Sequence, residues 1–103
     1  VSCETSHFPF CEPPHGPLIN RSIASLAGSS ETLMSANANR RELIIENIAT
    51  HNIGVDPIGG TAAIGTQGTI TIVPGGSWDA DFIPTSAITI IGTAADKVTA
   101  YEA

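Results

Sequence analysis

Near the start of the chain, four residues with metal-binding or redox side chains recur at every fourth position: Cys3, His7, Cys11 and His15, within CETSHFPFCEPPH. Three kinds of chemistry fit such a set. A tetrahedral zinc site would use all four residues, disulfides would use only Cys3 and Cys11, and thiols kept reduced would do no chemistry at all. The even spacing aligns four ligands only on a helix. Pro9, Pro13 and Pro14 forbid that helix, because proline lacks the backbone donor and clashes with the preceding turn. Zinc modules also hold their cysteines in tight C-x2-C knuckles, and this segment has none. The set therefore reads as no metal site, with Cys3, His7, Cys11 and His15 as the weaker alternative, and as two disulfide candidates. Cys3 and Cys11 would either close a small loop or each reach another chain, and an extended arm with a cysteine near each end suits the second.

Elsewhere the reactive residue types are scattered. The sequence has no G-x-S-x-G, no H-E-x-x-H and no glycine loop followed by Lys-Ser/Thr. Asp79 and Asp81 stand two apart on an expected strand, about 7 Å between Cα atoms. As a carboxylate pair they lack any group to activate water or bind sugar, so they read as a solvated strand face. Calcium at Asp56, Asp79 and Asp81 fails for want of ligands and of a wrapping loop. Trp78 as a sugar-stacking platform is weighed against its phase, which it shares with Ala80 and Phe82 rather than with the aspartates, and that phase favours core packing. His51, in an Asn/Thr-rich turn, reads as surface without a role. The expectation is a chain that is not an enzyme and carries no cofactor.

Composition narrows the partners. The 103 residues leave room for one domain with one core. Charged residues make up 14% against an average of about 25%, which suggests a surface partly covered by protein neighbours. The net charge is −6, and Arg21, Arg40, Arg41 and Lys97 form no run, so nucleic acid has little to bind. No apolar stretch nears the roughly 20 residues of a membrane span, and no secretory leader pattern is seen, so no membrane association is expected.

These groups must be positioned by two kinds of chain. Residues 1–17 hold four of the seven prolines, both cysteines and two of the three histidines, and read as an extended arm. Residues 18–103 read as one all-β domain of short Ile, Thr and Val segments with turn signals roughly every 8 to 12 residues. Expected strands are 21–27, 31–34, 41–47, 69–73, 77–83, 87–91 and 97–102, with a weak one at 52–55. The 41–47 strand is expected to lie centrally with both faces at least partly covered, and Trp78, Ala80 and Phe82 to face the core together. Four glycines between Val55 and Thr69 mark a long loop of the binding or partner-facing kind. The fold class expected is a single small β-sandwich or jelly-roll-like barrel of about six to eight short strands.

Two stretches, MSANANRRELIIENIATHNIGV (34–55) and PGGSWDADFIPTSAITIIGTAADKVTAYEA (74–103), resemble the small β-domain of tailed-bacteriophage structural proteins. The resemblance runs through Asn37, Asn39, Arg40, Leu43, Ile45 and Asn47, then Gly75, Gly76, Ser77 and Trp78, then Thr85, Ala87, Ile88, Ile91, Val98 and Glu102. Ser86 stands where that pattern has Gly. The motif residues are structural in kind: Asn37 and Asn39 suit turns, Arg40 a carboxylate at a sheet end, and Gly75 with Gly76 a positive-φ turn. The resemblance implies a virion structural protein, a capsid decoration (cement) protein made in the bacterial host cytoplasm and placed on the capsid exterior. Its partners would be the major capsid protein and further copies of itself, as a homotrimer. A tail, collar, baseplate or fibre component is the alternative, and a carbohydrate-binding β-sandwich the more remote one.

Overall fold

Alternating burial along the short Ile- and Val-rich segments follows from the pleat, which sends successive side chains to opposite faces. In the computed structural model, which describes residues 17–103, these segments form eight strands. They are β1 (Ile19–Asn20), β2 (Glu31–Met34), β3 (Leu43–Asn47), β4 (Ile53–Asp56), β5 (Ile70–Ile72), β6 (Ser77–Asp79), β7 (Ile88–Ile91) and β8 (Val98–Glu102). On β3, Leu43, Ile45 and Asn47 point inward; on β8, Val98, Ala100 and Glu102 do so.

The strands form two four-stranded antiparallel sheets, ordered β1-β8-β3-β6 and β2-β7-β4-β5. The fold is a small all-β sandwich, and this strand order is that of a jelly roll, in which the chain crosses repeatedly between sheets. Ile45 and Val98 from one sheet meet Ile53, Val55, Ile88 and Ile90 from the other, closing one core. Leu26 caps it from the β1–β2 connection, held by its N–H to the Asp96 carbonyl (2.8 Å).

Local pairing departs from the sequence reading in four places. Residues 21–27 do not form a strand; the pairing falls at Ile19–Asn20, and beyond it only Ile23 bridges to Val98. The strand expected over 77–83 ends at Asp79, where the chain bends. Trp78 and Ala80 pack on the core, whereas Phe82 is 87% exposed. Alternation alone could not register that bend. On β3 only one face is covered, since Ile44 and Glu46 lie on the open outer side of their sheet. The weak segment at 52–55 is the most deeply placed strand, β4, buried at all four residues between β7 and β5.

The glycine-rich loop after β4 folds back over the outer face of its own sheet, which explains that burial. Thr89 Oγ1 donates to the Gly60 carbonyl (2.6 Å), Ser86 Oγ to the Pro57 carbonyl (2.9 Å), and the Ala62 N–H to Ser30 Oγ (2.9 Å). Gly54 permits the close approach: a Cβ there would stand 2.7 Å from Thr69 Cγ2 and 3.0 Å from Ile64 Cγ1. Replacing Gly54→Val is therefore expected to lower stability by about 1–3 kcal/mol in urea denaturation and to speed protease cleavage within 57–69. A variant as stable and as resistant as the parent would contradict this packing.

Candidate functional site

The antiparallel sandwich has two ends, and each gathers the polar side chains that its connections bring together. At the first end, Glu102 completes the inward row of β8 one step beyond Ala100, where a carboxylate is shut off from water. An unpaired charge there would be costly, so it collects donors. Arg40 Nε donates to Glu102 Oε1 at 2.8 Å and Arg21 Nε to Oε2 at 2.8 Å, while Asn37 Nδ2 reaches Oε1 at 3.3 Å. Arg40 is itself buried, and its other nitrogens donate to the carbonyls of Ser35 (2.8 Å), Ser86 (3.0 Å) and Pro84.

One guanidinium thus ties the β2–β3 loop, the β6–β7 loop and the last strand. The local sequence makes this possible: Asn37 accepts the Asn39 N–H at 3.0 Å and the Arg40 N–H bonds the Asn37 carbonyl at 3.1 Å, a turn that aims Arg40 inward. Asn39 itself is exposed and serves through its backbone.

Burial pushes the Glu102 carboxyl up, but hydrogen bonds from Arg40, Arg21 and Asn37 together with the Arg40 charge outweigh it, and the pKa lies below the ordinary glutamate value. The carboxylate is saturated by cations and an amide, which makes it a clamp and not an acid or base.

The second end is organised by Asn47, also buried. Its Nδ2 donates to the carbonyls of His51 and Ile72 (both 2.8 Å), and its Oδ1 accepts the Ala49 N–H (2.8 Å). Gly75 and Gly76 close the β5–β6 turn against it. Gly75, at φ 82°, donates its N–H to the Asn47 carbonyl, and the Gly76 carbonyl accepts the Asn47 N–H. His51 Nδ1 lies 2.8 Å from Asp96 Oδ2. Beside this pair Ile48, Ala49, Thr50, Ala95, Asp96 and Lys97 line a shallow, open depression of about 210 Å³. Its rim is held in a strained shape, with Ala95 in the left-handed region at φ 73° and its N–H bonded to the Leu26 carbonyl at 2.8 Å.

The remaining candidate residues do not converge. Asp56 sits at the end of β4 with Oδ1 accepting the Ile58 N–H, Asp79 lies on the outer face of the opposite sheet, and Asp81 is exposed in the bend after it. Among the described residues no three metal-ligating side chains cluster. Trp78 lies half-buried against the core rather than outward as a stacking platform. The candidates Cys3, His7, Cys11 and His15 lie outside the described residues. Sequence reasoning did not single out Glu102 as the partner of Arg40, nor Arg21, although the spacing of Val98, Ala100 and Glu102 is a legible inward row.

The apolar side chains that stay in water are the other marked feature. Leu18 (63% exposed), Ile58 (78%) and Phe82 stand at the Glu102 end, and Ile48 (51%) and Val73 (57%) at the Asn47 end. Among the described residues, each sheet also finishes in strands bonded on one side only: β1 and β6 in one, β2 and β5 in the other.

No protein-family model matches the chain, and no curated protein matches it. Among solved structures, a chain described under "Bacillus endospore appendages form a novel family of disulfide-linked pili" is similar at 18% identity and a TM-score of 0.48, covering 90% of this chain and 89% of that one. A likeness of that degree carries no argument about function.

Removing Arg40 strands Glu102, so Arg40→Ala is expected to cost about 3–5 kcal/mol, and Arg21→Ala, at the exposed side of the clamp, about 0–1 kcal/mol. Equal losses in denaturant titration would contradict the assignment. The pH dependence follows from the depressed pKa. The stability from Glu102 is fully present above the ordinary glutamate value and is lost as pH falls through the lowered folded value. Glu102→Gln should therefore flatten the acid limb of the stability curve, and an unchanged limb would refute it.

Proposed function

We propose that this domain is a structural subunit that works by contact rather than turnover, assembling with copies of itself and with protein neighbours. The observation that carries the reading is its surface: large apolar side chains exposed at both ends of a domain with little charge, together with sheet edges that are bonded on one side only among the described residues. The polar residues at the two ends are consumed in holding loops, and this leaves contact surface, not a reactive pocket, as the asset of the fold.

In finer terms, we place it on a virion, as a capsid decoration protein whose partners are the major capsid protein and its own copies in a trimer. The resemblance of residues 34–55 and 74–103 to phage structural β-domains supports that placement, and a tail, collar or baseplate position is its alternative. Cys3 and Cys11, in the proline-rich first 17 residues, would fasten neighbouring copies by disulfides once assembled. A carbohydrate-binding role is disfavoured by the inward setting of Trp78.

Electrophoresis of the full chain after oxidation tests the reading. The expected result is a ladder of species under non-reducing conditions that collapses with reductant and is lost in Cys3→Ser with Cys11→Ser. A single monomer band, with both thiols open to labelling, would overturn the covalent linkage. A monomer by light scattering in both redox states would overturn self-assembly itself.

A further inference from the structure

The two ends of the sandwich are unlike, and their features fit one another. β8 runs from Val98, paired with Asn47 at one end, to Glu102, paired with Leu43 at the other. At the Glu102 end the chain bends after Asp79 and throws Phe82 into solvent at 87% exposure, two residues before the Pro84 carbonyl that Arg40 holds. Asp81 beside it is exposed, and among the described residues it makes no ion pair. At the Asn47 end lies the depression lined by Ile48, Ala49, Thr50, Ala95, Asp96 and Lys97. Lys97 is exposed and likewise makes no ion pair among the described residues.

We infer that Phe82 of one copy seats in the Ile48–Ala95 depression of a second copy, with Asp81 of the first meeting Lys97 of the second. The inference rests on the self-assembly reading above and names the contact that carries it. Size permits contact rather than enclosure: the depression is open to solvent and of about 210 Å³, so one face of an aromatic ring can lie against its walls. The charges favour this direction: the Asp81 carboxylate flanks the ring and the Lys97 ammonium lines its seat, while the seat's own carboxylate, Asp96, is already engaged by His51 Nδ1 at 2.8 Å. Burial of an aromatic anchor with a polar rim is the arrangement that concentrates binding energy in interfaces.

Geometry then sets the form of the assembly. Donor and acceptor lie at opposite ends of the same domain, so the contact is heterologous, each copy offering one end and receiving with the other. Such a contact closes into a ring or propagates as a filament, and it does not make a twofold dimer.

The test uses the full chain, with a benzoylphenylalanine photocross-linker placed at position 82 and the products mapped by mass spectrometry. Cross-links from position 82 to residues 48–50 or 95–97 of another copy are expected. Links only to other surfaces would overturn the inference while leaving self-assembly standing, and absence of any oligomer of the parent chain would overturn both. Sedimentation supplies the second arm. Phe82→Ala, a change at an exposed side chain, should weaken association roughly tenfold or more. Asp81→Lys and Lys97→Asp should each weaken association, and the two changes combined should restore it. Failure of the combined variant to recover, with Phe82→Ala associating as the parent does, would also overturn the contact.

Discussion

A carboxylate without access to water, Glu102, is the constraint on which one end of this fold depends. It sits on the inward face of the last strand, and such a group is tolerable only when its lone pairs are filled. Arg40, Arg21 and Asn37 fill them, and Arg40 at the same time anchors carbonyls of two connections that the Asn37 N–H also joins through the Thr85 carbonyl at 2.8 Å. Replacement of the group by a hydrophobic side chain of similar size would fill the volume but leave the Arg40 and Arg21 guanidinium groups without their carboxylate. The ion pair therefore contributes geometry as well as energy, fixing where the β2–β3 and β6–β7 connections lie and so where Phe82 emerges.

Asn47 performs the matching service at the opposite end with neutral hydrogen bonds. Its amide joins the β3–β4 turn to the end of β5 while its backbone pairs with the glycine turn at Gly75 and Gly76. Between the two polar knots lies a purely apolar core. The result is a block whose two ends are each tied by their own polar network. Such ordering before association would favour the proposed role, because surfaces held in place lose less entropy on meeting.

Much of this was legible in the residues. Short Ile-, Thr- and Val-rich segments marked the strands and glycine and proline the turns, so a small β-sandwich or barrel followed, whereas the one-sided burial of LIIEN did not. ANANR marked a turn before the strand because asparagine closes local turns, and Arg40 suited a carboxylate at a sheet end because a guanidinium seeks one. Which carboxylate it found depended on strand order, a non-local property that no single segment carries. The same limit explains Phe82. Its phase matched Trp78 and Ala80, but the strand stops at Asp79 where its neighbour β3 begins at Leu43, so the phase ceased to mean burial. NIGV looked weak because glycine lowers strand propensity, whereas in the fold Gly54 is required by the loop packed over it. The cysteine pattern of the arm remains a matter of spacing and proline chemistry, since it lies outside the described residues.

In the proposed function this domain acts through the surfaces it offers to its neighbours. Electron microscopy of the oxidised full chain tests that claim most directly. The account predicts ordered oligomers, rings or filaments, in which successive domains meet end to end with the Glu102 end of one against the Asn47 end of the next. A field of separate single domains under the same oxidising conditions would contradict it.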